Sequence, residues 1–178
     1  MSDKEILDLY NDGRREQAFN EIVKTYSERL YWQVRPLVGS HEDADDVIQE
    51  VFIKIWTALP SFRGEAQFFT WLYRIALNTA ITYAKKQKRR SAEPLFDAGG
   101  GAPDVAGDPF FDGDKASRLI SSAIMELPPK QRAVFSMRYF DEMPYEQISA
   151  VLGSSVGALK ASYHFAFEKI KKKLGGDI

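Results

Sequence analysis

Residues 144–174 read PYEQISAVLGSSVGALKASYHFAFEKIKKKL, and this stretch decides the fold of the C-terminal part of the chain. Ile148, Val151 and Leu152 recur at helical spacing, Gly153 is the residue type that takes the left-handed conformation ending a helix, and Ser154 or Ser155 can cap the next one. That pattern predicts a helix-turn-helix. Small Ser149 sits four residues before the glycine, where the two helices must approach closely, and Val156 and Leu159 close the mini-core from the second helix. Its remaining face offers Lys160, Ser162, His164 and then Lys169, Lys171, Lys172 and Lys173, a surface suited to a DNA major groove. An ordinary helical hairpin with solvated lysines has the same local pattern, so the segment alone leaves both readings open.

Composition sets the frame around this element. A chain of 178 residues with 44% apolar and 13% aromatic residues can bury one ordinary core or two small ones. No run of about 18 or more apolar residues occurs, and the first residues lack the apolar stretch of a signal peptide, so a cytoplasmic protein without membrane insertion is expected. Zero cysteines exclude disulfides, thiolate catalysis and cysteine-bound zinc, and two histidines argue against a histidine-rich metal site. Neither a cofactor nor a metal is expected.

The net charge of −1 conceals a segregation of signs. Residues 1–60 carry 12 acids against 7 bases, residues 61–90 carry 1 against 7, residues 91–114 carry 6 against none, and residues 115–178 carry 6 against 10. Two basic blocks separated by an acidic one suit contact with an extended polyanion at two places. The acidic block, SAEPLFDAGGGAPDVAGDPFFDGD, has a triple glycine, three prolines and no helical periodicity, and reads as a linker. Its Leu95, Phe96, Phe110 and Phe111 are apolar enough to dock in a groove of this protein or of a partner. The expected organisation is therefore all-α, with two small helical domains over 1–90 and 115–178 joined by residues 91–114.

In the first domain, residues 41–56 read HEDADDVIQEVFIKIW. Ala44, Val47, Ile48, Val51, Phe52 and Ile55 fall at three- and four-residue steps and form one apolar face, while Asp43, Asp46, Gln49 and Glu50 occupy the rest. Asp43, Asp45 and Asp46 crowd the first turn, where they oppose the helix dipole. The acidic flank is either a partner-binding surface or a plain solvated face; a divalent-metal site is the weaker alternative.

Residues 61–90 read SFRGEAQFFTWLYRIALNTAITYAKKQKRR. An aromatic loop precedes a helix that Thr70 can cap, lined on one side by Trp71, Leu72, Ile75, Ala76 and Thr79 and ending in KKQKRR. Aromatic rings interleaved with basic residues suit single-stranded nucleic acid, because bases stack on ring faces while Lys and Arg follow the phosphates. Core packing accounts equally well for Phe68, Phe69 and Trp71. Arg74 and Asn78, four apart, share a helix face.

Together the three segments resemble the extracytoplasmic-function group of bacterial RNA polymerase sigma factors. DADDVIQEVFIKIW is similar to the group's polymerase-binding helix, FRGEAQFFTWLYRIALNTAITYAKKQKRR to its melting and minus-ten segment, and the stretch from LPPKQRAVFSMRYF through the terminal lysines to its minus-thirty-five reader. The resemblance implies a non-enzymatic initiation factor that binds core RNA polymerase and promoter DNA and is restrained by an anti-sigma factor. It implies that Asp46, Gln49, Glu50 and Ile53 face the polymerase clamp helices. Phe62, Arg63 and Gln67 would surround a base flipped from the minus-ten strand, Asn78 would bond near that pocket, and Arg74, Lys85, Lys86, Arg89 and Arg90 would contact phosphates. Ser155, Lys160, Ser162, His164 and Phe165 would read the minus-thirty-five element, and the linker would thread along the polymerase. At that reading helix the chain has a lone Lys160 where many members carry several arginines, so shape readout of stiff DNA is expected in place of bidentate guanine contacts. Pro144 stands where a capping hydroxyl is common.

Two other classes compete. A sigma-like decoy for an anti-sigma factor would carry a phosphoacceptor domain, for which 178 residues leave no room. A standalone helix-turn-helix regulator would need a ligand or dimerisation domain, and residues 1–90 show neither a pocket signature nor a heptad repeat.

Overall fold

Ser40 starts the helix that anchors the first domain: its Oγ accepts the Asp43 N–H at 3.0 Å, and the apolar steps that follow hold residues 41–58 helical. The structure, a computed structural model, describes residues 1–92 and 115–175. Among them the elements are α1 (Asp3–Asn11), α2 (Arg15–Val34), α3 (His41–Ala58), α4 (Phe68–Ala92), α5 (Lys115–Met125), α6 (Pro129–Tyr139), α7 (Tyr145–Leu152) and α8 (Val156–Lys173), with short 3-10 turns at Arg35–Leu37 and Leu59–Ser61 and no strand. The all-α expectation holds.

In the first domain, α2, α3 and α4 pack on one another and α1 lies along α2. Ile22, Leu30, Val47, Val51, Ile55, Leu72 and Ala76 are fully buried in this bundle. The α3 face expected from the sequence is the one that enters the core: Ala44, Val47, Val51 and Ile55 are buried, with Ile48 and Phe52 packed at its edge.

α4 departs from expectation in two ways. It begins at Phe68 instead of after Thr70, because the buried Phe68 ring packs edge-on to Tyr26 and Phe62 and draws the chain into the bundle, while Gln67 O accepts the Trp71 N–H. It is also buried on two sides. Leu72, Ala76 and Thr79 are buried as the sequence suggests, but so are Tyr73, Leu77 and Ala80, because α6 and α7 cover the face opposite α2 and α3. The helix runs on through Ser91 and Ala92, the first two residues assigned to the linker. Residues 93–114, with Leu95, Phe96, Phe110 and Phe111, lie outside the described residues.

The second domain has its own small core of Ala123, Ile124, Leu127, Phe135, Ala166 and Ile170. Its helix-turn-helix is formed as read: α7 ends at Gly153 with φ +66°, and Ser155 Oγ accepts the Ala158 N–H at 3.3 Å to start α8. Ile148, Val151 and Leu159 close the mini-core, while Val156 is only half-buried. Pro144 lies one residue ahead of the first turn, at the N-cap, and supplies no side-chain cap.

The two domains share a continuous apolar cluster. Leu37, Tyr73 and Leu77 from the first meet Ala133, Met137 and Ile148 from the second. The seam also carries polar ties. Arg132 Nη1 donates to Leu37 O at 2.7 Å, Arg74 Nη2 to Ala150 O at 2.5 Å, and the Tyr73 hydroxyl lies 3.2 Å from Asp141 Oδ2 while bonding the Gln33 amide.

Candidate polymerase and nucleic-acid interfaces

On α3, Asp46, Gln49, Glu50 and Ile53 form one exposed stripe at steps of three and four residues. Ile53 is 67% exposed, an unusual position for isoleucine on a helix whose opposite face is fully buried. Trp56, three residues further, extends the stripe at 44% exposure with its ring edge against Phe19. Sequence reading missed it, since a tryptophan on an amphipathic helix is ordinarily core; its one signal is the three-residue step from Ile53. Glu50 is engaged within the stripe by Lys54, whose Nζ is 2.7 Å from Oε1. Asp43 lies off the stripe, where its carboxylate accepts from the Tyr83 hydroxyl and ties α3 to α4.

The loop before α4 turns at Gly64, whose φ of +75° favours glycine. Arg63 and Gln67 are exposed there. Phe62 is half-buried, its ring 5.2 Å from Phe68 and 5.1 Å from Trp71, so it forms one wall of an aromatic cluster with its free edge at the loop. Asn78, Lys85, Lys86, Arg89 and Arg90 are exposed along α4 on the way to its C-terminus. Arg74 is exposed too, but its guanidinium is drawn across the seam to Ala150 O.

On α8 the five expected reading residues divide. His164 and Phe165 are exposed, Phe165 at 58%, beside Gly157, Ala158 and Ala161, whose small side chains let the helix backbone approach a surface closely. Lys160 lies over the Tyr145 ring at 5.8 Å, a ring that Arg138 approaches from 5.1 Å. Ser155 is the helix cap, and Ser162 is half-buried against α6, lining a cleft with Pro128, Gln131 and Val134. In the lysine cluster Lys169, Lys172 and Lys173 are exposed and Lys171 is half-buried; Lys169 donates to Gln131 and Lys173 pairs with Glu126, which ties the end of α8 back to α6 and to the turn before it.

Electrostatics follow burial. Arg132, 7% exposed, donates to the carbonyls of Leu37, Met125 and Leu127, and burial pushes its pKa down to about 10. Burial raises the Tyr73 hydroxyl well above its ordinary value, and partial burial raises Asp141 despite the Tyr73 hydrogen bond. Among the described residues no group of three or more His, Cys, Asp or Glu is placed to hold a metal ion, and no helix is long and apolar enough to cross a membrane.

Residues 22–90 match sigma-70 region 2 and residues 117–170 match sigma-70 region 4. The chain is 33% identical to the ECF RNA polymerase sigma-E factor of Escherichia coli (strain K12), over 98% of this chain and 95% of that one. It is 32% identical to the RNA polymerase sigma-H factor of Pseudomonas aeruginosa, over 97% and 93%. Two solved structures share the fold: the sigma factor RpoE in complex with the anti-sigma factor NepR from Bartonella quintana (TM-score 0.68, 22% identity, 90% of this chain and 98% of that one) and CnrH in complex with the cytosolic domain of CnrY (TM-score 0.62, 24% identity, 92% and 91%). The matches over both helical units place the chain among transcription-initiation proteins, and it belongs to the extracytoplasmic-function group of sigma-70 family sigma factors. It is a promoter-recognition factor of RNA polymerase.

Proposed function

We propose that the α3 stripe of Asp46, Gln49, Glu50, Ile53 and Trp56 is the polymerase-docking surface, and that the chain acts without catalysis of its own. The observation that carries this reading is Ile53: an isoleucine 67% exposed amid carboxylates supplies apolar area to a partner while the acids steer a basic one. The loop over 62–67 with Asn78 and the basic end of α4 engages the melted minus-ten strand. Phe62 backs the base pocket as a wall, and Arg63 and Gln67 line its rim. Flipping a base costs a few kcal/mol, offset by stacking and by the Asn78 amide.

The minus-thirty-five reader is the exposed α8 face. His164 and Phe165 lie outermost, Ser155 sets the helix start, Lys160 and Ser162 reach the groove edge, and Gly157 with Ala161 admits close approach. With no arginine on this face, readout is by shape and by backbone contact. Residues 1–90 and 115–178 act as two modules with residues 91–114 between them. An anti-sigma factor is the expected restraint, by analogy with the relatives solved in such complexes.

The testing experiment is capture of core RNA polymerase by the tagged chain, with Ile53→Asp against the parent. Loss of capture by a folded Ile53→Asp chain supports the assignment. Equal capture contradicts it.

A further inference from the structure

Phe69, next to the buried Phe68 at the start of α4, is half-buried. Its ring lies nearly parallel to those of two buried tyrosines, 5.6 Å from Tyr73 at 13° and 5.9 Å from Tyr26 at 24°, so its orientation is fixed. The guanidinium carbon of Arg29, on α2, lies 4.0 Å from the Phe69 centroid and 5.9 Å from that of Tyr26. An arginine that merely covers apolar surface lays its aliphatic stem on it and sends the charged head to water. Here the head itself sits on the ring while the residue stays exposed, and among the described residues no carbonyl or carboxylate engages it. The arrangement adjoins the loop read as facing the melted strand. Phe62 packs on Phe68, Phe68 on Tyr26 and Tyr26 on Phe69, so two rings separate the wall at Phe62 from the ring beneath Arg29.

We infer that Arg29, backed by Phe69, is a second stacking site for the melted strand, taking an unpaired base near the one held at Phe62. The inference rests on the reading of the 62–67 loop as the first pocket. Unpaired bases stack on guanidinium planes as they do on aromatic rings, and a guanidinium already held on a ring gives up little further freedom in doing so. Charge alone does not suit this place to a phosphate. The adjacent Glu28 is exposed, and residues 1–60 carry 12 acids against 7 bases. Two base sites in series resist re-pairing of the duplex better than one, because filling the first presents the strand to the second at high effective concentration.

The test titrates holoenzyme, assembled from core polymerase and the full chain, with a fluorescent promoter template pre-melted over the minus-ten element. Its non-template strand carries a single abasic nucleotide, moved one position at a time, which deletes a base and keeps its phosphates. With the parent chain, affinity should fall about five- to tenfold at two positions, one for each site. Arg29→Lys keeps the charge and lacks the plane, and as an exposed substitution it should melt near the parent. It should bind the intact template about five- to tenfold more weakly, lose nothing further at the second abasic position and keep the full loss at the first. Phe62→Ala should show the reverse pattern. An Arg29→Lys holoenzyme that matches the parent throughout, or that keeps the penalty at the second position, overturns the site. A parent with one sensitive position alone, dependent on Phe62, also overturns the second site while the loop reading stands. A parent indifferent to every abasic position overturns both.

Discussion

Arg132 Nη1 lies 2.7 Å from Leu37 O, a buried hydrogen bond between residues 95 apart in sequence, and the other nitrogen of the same fork holds Met125 O and Leu127 O. One guanidinium thus fixes the entry to α6 and docks that entry on the first domain. Among the described residues its hydrogen-bond acceptors are these three carbonyls, and burial depresses its pKa.

Arg132→Met keeps the aliphatic stem and strands three carbonyls. Thermal or urea unfolding should show a loss of about 2–3 kcal/mol, with Arg132→Lys falling between the variant and the parent. A loss below about 0.5 kcal/mol would show that water replaces the fork without penalty.

Reversing Asp46 and Glu50 to lysine tests the α3 stripe. Both side chains are exposed, so the circular dichroism spectrum and melting temperature should stay near the parent, the lost Glu50–Lys54 pair costing a few tenths of a kcal/mol. Affinity for core polymerase should fall at least tenfold in a binding titration. Retained binding by the folded double variant would remove these acids from the interface.

Much of this was legible because the local signals are strong. The Gly153 turn, the Ser155 cap and the α3 apolar face each follow from residue types that have few alternatives at those positions. What the sequence hid lies in the tertiary contacts. Tyr73, Leu77 and Ala80 lie off the apolar side of α4 read from periodicity, and only the arrival of α6 and α7 explains their burial. Arg74 and Lys173 read from sequence as nucleic-acid-facing bases, and nothing local shows that one also bonds the end of α7 and the other pairs with Glu126 across 47 residues. Trp56 was hidden for the converse reason: its residue type suggests core, and its position on the helix puts it outside.

Asn78→Ala separates melting from docking. Asn78 is exposed, and it is its backbone carbonyl, not its side-chain amide, that accepts from the Thr82 hydroxyl, so the substitution should leave stability unchanged within about 0.5 kcal/mol. Permanganate reactivity of a duplex promoter in the holoenzyme should drop severalfold, and reactivity of a pre-melted bubble much less. Phe62→Ala should behave similarly but with a stability loss of about 1–2 kcal/mol, because its ring also packs on Phe68 and Trp71. Equal losses on both templates would point to polymerase docking instead.

At Ser155 the cap and the DNA contact make opposite demands. Ser155→Ala should destabilise the chain by about 1 kcal/mol, and Ser155→Asp should restore stability because a carboxylate caps the α8 N-terminus well. If the residue also meets phosphate, Ser155→Asp should still lower promoter affinity in the holoenzyme. Full activity of Ser155→Asp would confine the residue to capping.

The central claim is that this chain directs core polymerase to promoters through two elements held at a fixed separation. The most direct measurement is transcription of sheared genomic DNA by core polymerase with and without the chain, with 5′ ends mapped by sequencing. The account predicts a discrete set of chain-dependent start sites that share two upstream elements at one spacing, and loss of most transcripts when about half a helical turn is inserted between them in a cloned member. Start sites no different from those of core polymerase alone, or transcription indifferent to that insertion, would contradict it.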